Sequence, residues 1–540
     1  MTRSNIYTRI AVFMLLLAGG LLPSCSSDLL DEVPKGFLSP ENVFEDLEGF
    51  QSATNNLYRL GRSLRTSDQL TGEGDKTITV IYGSGTDLGW YWDKKLNFGD
   101  YSLINSTNAL ARDYWNLLFS LVRDANVIIS RLEPAPLGEE EKQAIEAEAR
   151  FFRAYAYRFL VYLYGDVPIV REELTAPKTD FSRAPKSEVL AFMLEDLEFA
   201  SQYLPVENPV GDHLSKAAAD HLLAETYIST GDFEKAIAAA TRVIDDGQYQ
   251  LMTTRFGTHA DKPGDVFWDL FRLGNQNRNT GNKESILVWQ VEFEVQGGDP
   301  GYKFERAWGP ILEQLVDSDG KKAILPSDTL GRGVGFFRPS VFMEYQLWGA
   351  DFHKDMRNSS YNIQREFYNN NPASSEFGQV ITPRPADTAR RYFAWVKKAS
   401  HPYGHPQGYD TQGRLFSDIY AIRLAETYLL RAEAYLASND PVNAAADINA
   451  VRGRAGATAI SSDAVDIDYI LDERARELMG EEPRRLTLAR LGLLYDRVMR
   501  YNPVSAPTVK PFHNLLPIPQ DQIDRVEGGD EKFPQNNGYR

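Results

Sequence analysis

Two stretches of this chain repeat one spacing of side chains, and that repetition constrains the fold more than any other feature. Ala224, Tyr227, Gly231, Phe233 and Ala236 are matched by Ala432, Tyr435, Asn439, Pro441 and Ala444, with the same step between each successive pair. Such steps describe a helix, a tight turn and a second helix: the alanines let the two helices cross closely, and the aromatic fills the gap between them. A hairpin of that kind cannot bury its apolar face alone. It predicts neighbours stacked against it.

The register resembles the tetratricopeptide repeat, and helical periodicity continues elsewhere. Trp115, Leu118, Val122, Ala125, Ile129 and Leu132 recur every three or four residues, which marks one buried helix face. Beyond Pro134 and Pro136 a second stripe runs through Ile145, Ala149, Phe152, Ala156, Phe159 and Leu163. Glu139 to Glu141 sit at its positive end, and Gly165 with Pro168 stop it. The two segments read as an antiparallel helical hairpin. Between the repeats, from about residue 250 to 415, Gly, Pro, Asn and aromatic residues become frequent, and Ile286 to Val291 reads as a strand. Leu70 to Tyr101 has the same character and places Trp90, Tyr91 and Trp92 on a loop after Gly83, Gly85 and Gly89. The expected fold class is mainly α, an α-α superhelix of tetratricopeptide-like hairpins with an irregular, loop-rich second half carrying a few short strands.

Cys25 is the only cysteine, and it follows a secretion signal. Arg3 and Arg9 precede the apolar run Ile10 to Leu22, and Pro23 and Ser24 stand at the cleavage position. The run is shorter than the roughly 20 residues a membrane helix needs. Residues 1–24 are therefore expected to be a lipoprotein signal peptide, with Cys25 as the lipid attachment residue carrying diacylglycerol and palmitate, and Ser26 to Pro40 as a polar tether. A lone cysteine excludes an internal disulfide, so packing alone must hold the body together. No linker tract divides that body.

Lys and Arg number 58 against 75 Asp and Glu, a formal net charge of −17, and such a surface repels phosphate backbones. Nucleic acid is excluded as an expected partner. The same sign disfavours acidic polysaccharides unless a local basic cleft overrides it. The strongest catalytic lead is the acid-rich segment holding Glu473, Glu477, Glu481 and Glu482, interleaved with Arg474, Arg476, Arg484 and Arg485. Arginines at three- and four-residue distance favour ionised, paired carboxylates over a protonated general acid. His401 and His405 have ligand-like spacing, but Pro402, Gly404 and Pro406 preclude a shared helix face, so both read as solvated loop histidines. Gly72 to Thr77 lacks the ending of a phosphate loop because Asp75 precedes Lys76. No cofactor is expected, and the single ion candidate is a structural calcium held by oxygens of the Asp317 to Asp319 loop.

Taken in order, these segments resemble the SusD/RagB lipoproteins. The resemblance runs through Cys25 with Asp28, Asp31 and Glu32, Arg112 to Leu132, Ala149 to Tyr155 with Tyr164 to Pro168, Arg423 to Glu426 with Leu430 to Ala434, and Ile448 to Arg452. It closes on Leu516 to Pro519 and Gln535 to Tyr539. Two departures suggest a subfamily: Asn537 where the family usually has proline, and Arg484 to Leu488 where it usually has Arg-Trp-Phe-Asp-Leu. The resemblance implies four tetratricopeptide-type hairpins, an N-terminal SusD-like region over residues 25–250 and a C-terminal RagB/SusD region over 260–540, packed as one body. It also implies a surface-exposed, lipid-anchored outer-membrane protein, not an enzyme, that captures oligosaccharide for a SusC-like TonB-dependent transporter in polysaccharide utilisation. Peptide capture by the same fold, or a repeat scaffold with no small ligand, are the alternatives.

Sugar capture asks for flat aromatic faces beside guanidinium or amide donors. The candidates on that ground are Trp90 and Trp92 in the first loop region and Tyr302, Arg306 and Trp308 in the second. The anchor itself is directly testable. Replacing Cys25 with alanine should move the protein from the membrane to the soluble fraction; retention through its own apolar surface would refute a lipid anchor.

Overall fold

The computed structural model describes residues 43–66, 81–93, 98–298, 301–327, 330–403 and 413–539. Its longer helices are α1 (Leu47–Thr66), α2 (Ala109–Leu132), α3 (Glu139–Tyr164), α4 (Lys186–Tyr203), α5 (Lys216–Thr230) and α6 (Phe233–Ile244). They continue with α7 (Leu424–Ala437), α8 (Pro441–Arg454), α9 (Ile467–Glu477), α10 (Arg484–Arg490) and α11 (Leu494–Tyr501). From α1 to α8 each helix packs on the next, and α6 packs directly on α7. The chain between Ile244 and Leu424 is therefore an excursion from one continuous helical stack.

The stripes read in α2 and α3 are buried as expected, with Ile129 at the margin of the core. From Phe151 to Tyr164, α3 is buried on every face, because α1, α2, α4 and α10 all pack against it. Its arginines cross to its neighbours. Arg153 donates to both oxygens of Asp196 on α4 at 2.8 and 2.7 Å, and Arg158 to both oxygens of Glu225 on α5 at 2.6 and 2.7 Å. Two-pronged pairs of this kind fix angle as well as distance.

The repeated spacing corresponds to one repeated turn. Gly231 and Asn439 both adopt left-handed backbone, with φ of 82° and 63°. The next amide in each turn, of Asp232 and Asp440, donates to the carbonyls of Tyr227 and Tyr435 at 2.9 and 2.8 Å. Those same aspartates then cap the following helices through the amides of Lys235 and Asn443. Ala224, Ala236, Ala432 and Ala444 are fully buried at the crossings.

Among the described residues, six short strands form three antiparallel ribbons. β1 (Gly89–Tyr91) pairs with β3 (Phe337–Pro339), β2 (Ser285–Trp289) with β6 (Ile419–Arg423), and β4 (Ile363–Gln364) with β5 (Trp395–Val396). The strand read around Ile286 is β2, whereas Trp90 and Tyr91 lie on a strand and not on the expected loop. The pairing that makes it a strand comes from residues far away in sequence. The C-terminal motif closes over the end of α3: the Asn536 amide donates to the carbonyls of Tyr164 and Leu516, and the Leu516 amide to that of Leu163. One hydrophobic cluster extends from Phe50 to Tyr539. Cys25, the tether, Gly72 to Thr77 and His405 lie outside the described residues; among those described, no helix is long and apolar enough to cross a membrane.

The acids of α9 and the turn after it form the centre of a buried ion-pair network. The Glu477 carboxylate accepts from Arg423 at 2.8 Å, from Arg357 at 3.1 Å and from Arg454. Glu473 accepts from Arg476 at 2.7 Å and Arg452 at 2.9 Å, and Arg357 lies 2.8 Å from its other oxygen. Glu481 holds Lys398 and Arg423, while Glu482 holds Arg474 and Arg484. Glu284, on the excursion, closes the network from the other side through Arg423 and Arg454. The local arginines were only part of the answer: Arg357, Arg423, Arg452 and Arg454 come from elsewhere in the chain. Arg485 pairs with none of these acids, lying 4.2 Å above the Phe98 ring and donating to the Ser84 carbonyl.

Burial alone would raise the Glu473 pKa, but Arg357, Arg476 and Arg452 outweigh it and bring it down to about 2. Asp87 shows the same balance, brought down to about 2 by Arg484 and Arg497.

Two predictions follow from these contacts. Asn439→Val should cost about 1–2 kcal/mol in urea unfolding, since a β-branched residue resists left-handed backbone, whereas Asn439→Gly should be neutral or better. The depressed carboxylates contribute stability that is present above an unfolded-state value of about 4.3 and lost as pH falls towards 2. Thermal unfolding followed by circular dichroism should therefore show a steep drop in Tm over that window; an unchanged Tm there would contradict the pairing.

Candidate ligand-binding site

The β1–β3 ribbon brings together the two loop regions that the sequence keeps far apart. Trp90 faces Arg338 across the ribbon, and the Trp92 amide donates to the Phe336 carbonyl at 2.9 Å. Trp92 keeps 36% of its surface exposed, and Phe336 beside it is half-buried. Tyr91 stacks on Phe336, with centroids 5.9 Å apart and planes within 7°, and its ring is 6.3 Å from that of Trp92.

Guanidinium groups line this aromatic patch. Arg390 lies 3.9 Å over the Trp92 ring and 6.0 Å from Phe336, and Arg306 lies 5.9 Å from Phe336. Arg338 lies 5.8 Å from Trp90 and is paired with Glu344 at 3.0 Å. Hydrogen bonds hold the parts in register: the Val334 amide donates to the Arg306 carbonyl, the Gly335 amide to that of Gly309, and the Arg390 side-chain Nε to that of Val334 at 3.0 Å. Gly335 is required there. Its φ is 65°, and a β-carbon would lie 2.7 Å from the Arg390 carbonyl.

Of the five residues singled out for stacking and hydrogen bonding, Trp92 and Arg306 meet at this patch and Trp90 borders it, half-buried. Tyr302 and Trp308 are core residues, which corrects the expectation for both. Trp308 is 1% exposed, with one neighbour, Phe304, stacked at 5.7 Å and another, Phe337, at 4.3 Å. Tyr302 is 3% exposed with Arg65 at 5.2 Å over its ring. Neither presents a face to solvent. Phe336 and Arg390 were missed, although the glycines at 331, 333 and 335 just before Phe336 were a signal of aromatic residues carried on a loop.

A second aromatic-lined depression, of about 140 Å³, lies between Trp268, Tyr361, Lys397 and Tyr403. A larger open groove of about 510 Å³ runs along α2 between Trp115, Phe119, Val170, Phe181 and Phe533. It offers mainly apolar surface. The patch at Trp92 differs from both in combining an exposed indole with several guanidinium groups.

The other chemical leads resolve into structural roles. The α9 acids are ionised and paired, so none is held protonated as a general acid would be. His401 is buried, not solvated, because Arg272 reaches in from the adjoining turn and donates to the carbonyls of Lys398 and Ser400, drawing that segment inward. Asp317 organises a turn, one oxygen accepting from the amides of Asp319 and Lys321 and the other from the Ser374 hydroxyl. Among the described residues no group of three or more His, Cys, Asp or Glu side chains is arranged to hold a metal ion.

Comparison with known proteins places these features in context. Residues 337–539 match the model described as the SusD family, and residues 75–228 match one described as starch-binding and associating with the outer membrane. The chain is 27% identical to SusD-like protein P25 of Formosa agariphila, over 96% of this chain and 98% of that one. It is 23% identical to the starch-binding protein SusD of Bacteroides thetaiotaomicron, over 84% and 83% of the two chains. Among solved structures, a laminarin-binding SusD-like protein superposes with a TM-score of 0.67 at 22% identity, covering 92% of this chain and all of the other. A SusD homologue from Bacteroides thetaiotaomicron superposes at 0.71 with 18% identity, covering 92% and 98%. At such identities these superpositions bear on the fold.

Proposed function

The chain belongs to the SusD/RagB family, and from that premise we propose that it captures oligosaccharide at the cell surface and delivers it to a SusC-like TonB-dependent transporter of the outer membrane. The observation that carries the reading is the exposed indole of Trp92 set beside Phe336 and the guanidinium groups of Arg390 and Arg306. An aromatic face takes the C–H face of a sugar ring while guanidinium N–H groups donate to its oxygens. Relatives named for starch and laminarin binding support a glycan as the ligand class. The pairing of the α9 acids supports binding without bond cleavage.

The two matched stretches fall within residues 25–250 and 260–540, which supports reading these as the N- and C-terminal regions of one body. Cys25 anchors that body to the membrane through its lipid.

Calorimetric titration of the chain lacking Cys25 against oligosaccharides and peptides tests capture. Trp92→Ala should weaken binding about tenfold, whereas Trp308→Ala should lower stability and leave the affinity of the folded fraction near that of the parent. Binding of peptides alone would replace the glycan reading by peptide capture. Failure of the transporter to copurify with the lipidated protein would remove the delivery step.

A further inference from the structure

Most arginines among the described residues donate to a carboxylate or a carbonyl. Arg332 pairs with Glu313 at 2.8 Å, Arg338 with Glu344, and both Arg384 and Arg391 with Asp387. Arg390 is different. Its Nε donates to the Val334 carbonyl and its plane lies over Trp92, but its two terminal nitrogens have no hydrogen-bond acceptor and no carboxylate partner among the described residues. It sits in a segment, residues 384–391, that holds three arginines against one aspartate, within a chain of net charge −17.

Resting on the capture reading above, we infer that the oligosaccharide this site takes is anionic, and that Arg390 receives a carboxylate or sulfate group of the sugar beside the Trp92 indole. The chemistry of the fork favours such a group. Two parallel N–H donors match the two oxygens of a carboxylate or sulfate, and a charge-assisted pair of that kind is about twice as strong as a neutral hydrogen bond. A neutral sugar offers only hydroxyls and leaves the cation uncompensated.

The acidic character of the whole chain does not oppose this. Its field is screened beyond roughly 8 Å at physiological ionic strength, so the charges beside the patch decide the local sign. There Arg390 and Arg306 lie beside the aromatic rings, and Arg390 has no carboxylate partner among the described residues. The bulk charge argued against acidic polysaccharides; the placement of Arg390 reverses that argument at the one surface where it matters.

The test uses the soluble chain without Cys25 and four probes of matched length: neutral β-glucan oligosaccharides, oligogalacturonates, sulfated galactan oligosaccharides and an acidic peptide. Titrations are run near neutral pH at about 50 and about 300 mM sodium chloride. One anionic sugar series should bind about tenfold more tightly than the neutral one, and which of the two does so identifies carboxylate or sulfate as the source of the charge. That affinity should fall about threefold or more at the higher salt. Arg390→Gln should remove about tenfold of it with the fold retained by circular dichroism, and Arg390→Lys should recover part, keeping the charge without the fork.

Tightest binding by the neutral series, indifferent to salt and to Arg390→Gln, would overturn the inference, leave capture standing and make Arg390 a support for the Trp92 ring. Silence from all three sugar series, with or without binding of the acidic peptide, would overturn the capture reading and this inference with it.

Discussion

The Glu477 carboxylate is the point on which the architecture turns. It is fully buried, and the three guanidinium groups that reach it come from the excursion (Arg357), from the end of β6 (Arg423) and from α8 (Arg454). Moving any one of these ions out of water costs several kcal/mol, which is recovered only when every partner is in place. The network is therefore a condition for docking the excursion as much as a source of attraction. Glu284 and Lys398 extend it into the loop-rich half; a neighbouring cluster built on Glu482 runs through Arg484 to Asp87, beside β1.

That last connection matters for the site. Asp87 accepts from Arg484 of α10 and Arg497 of α11, and its own carbonyl accepts from the Ser340 hydroxyl just after β3. The ribbon carrying Trp90 and Trp92 is thus tied at its root to two helices of the C-terminal region. An aromatic platform on an otherwise irregular loop gains rigidity in this way, and a rigid platform loses less entropy when a ligand settles on it.

Parts of this were legible from residue order because their causes are local. The turn at Asn439 was readable from its match to Gly231, since left-handed backbone selects for glycine and asparagine whatever surrounds it. The stripes of α2 and α3 were readable because burial of one helix face recurs with the helix period. The site was readable only in part. Trp92 and Trp308 look alike in a sequence, both aromatic residues in glycine-rich surroundings, yet one is 36% exposed and the other 1%.

What the sequence by itself determined is the stripes of α2 and α3 with the stop after α3, the repeat register and the pairing tendency of the α9 acids. Each depends on neighbours within a few turns of helix, so spacing alone carries it. What only the tertiary structure decided is which distant arginines complete the acid network, that β1 pairs with β3, and hence that Trp92, Phe336 and Arg390 share one surface while Tyr302 and Trp308 lie beneath it. Exposure and charge compensation are properties of everything that packs around a group. No stretch of sequence short enough to be read as a motif contains that information.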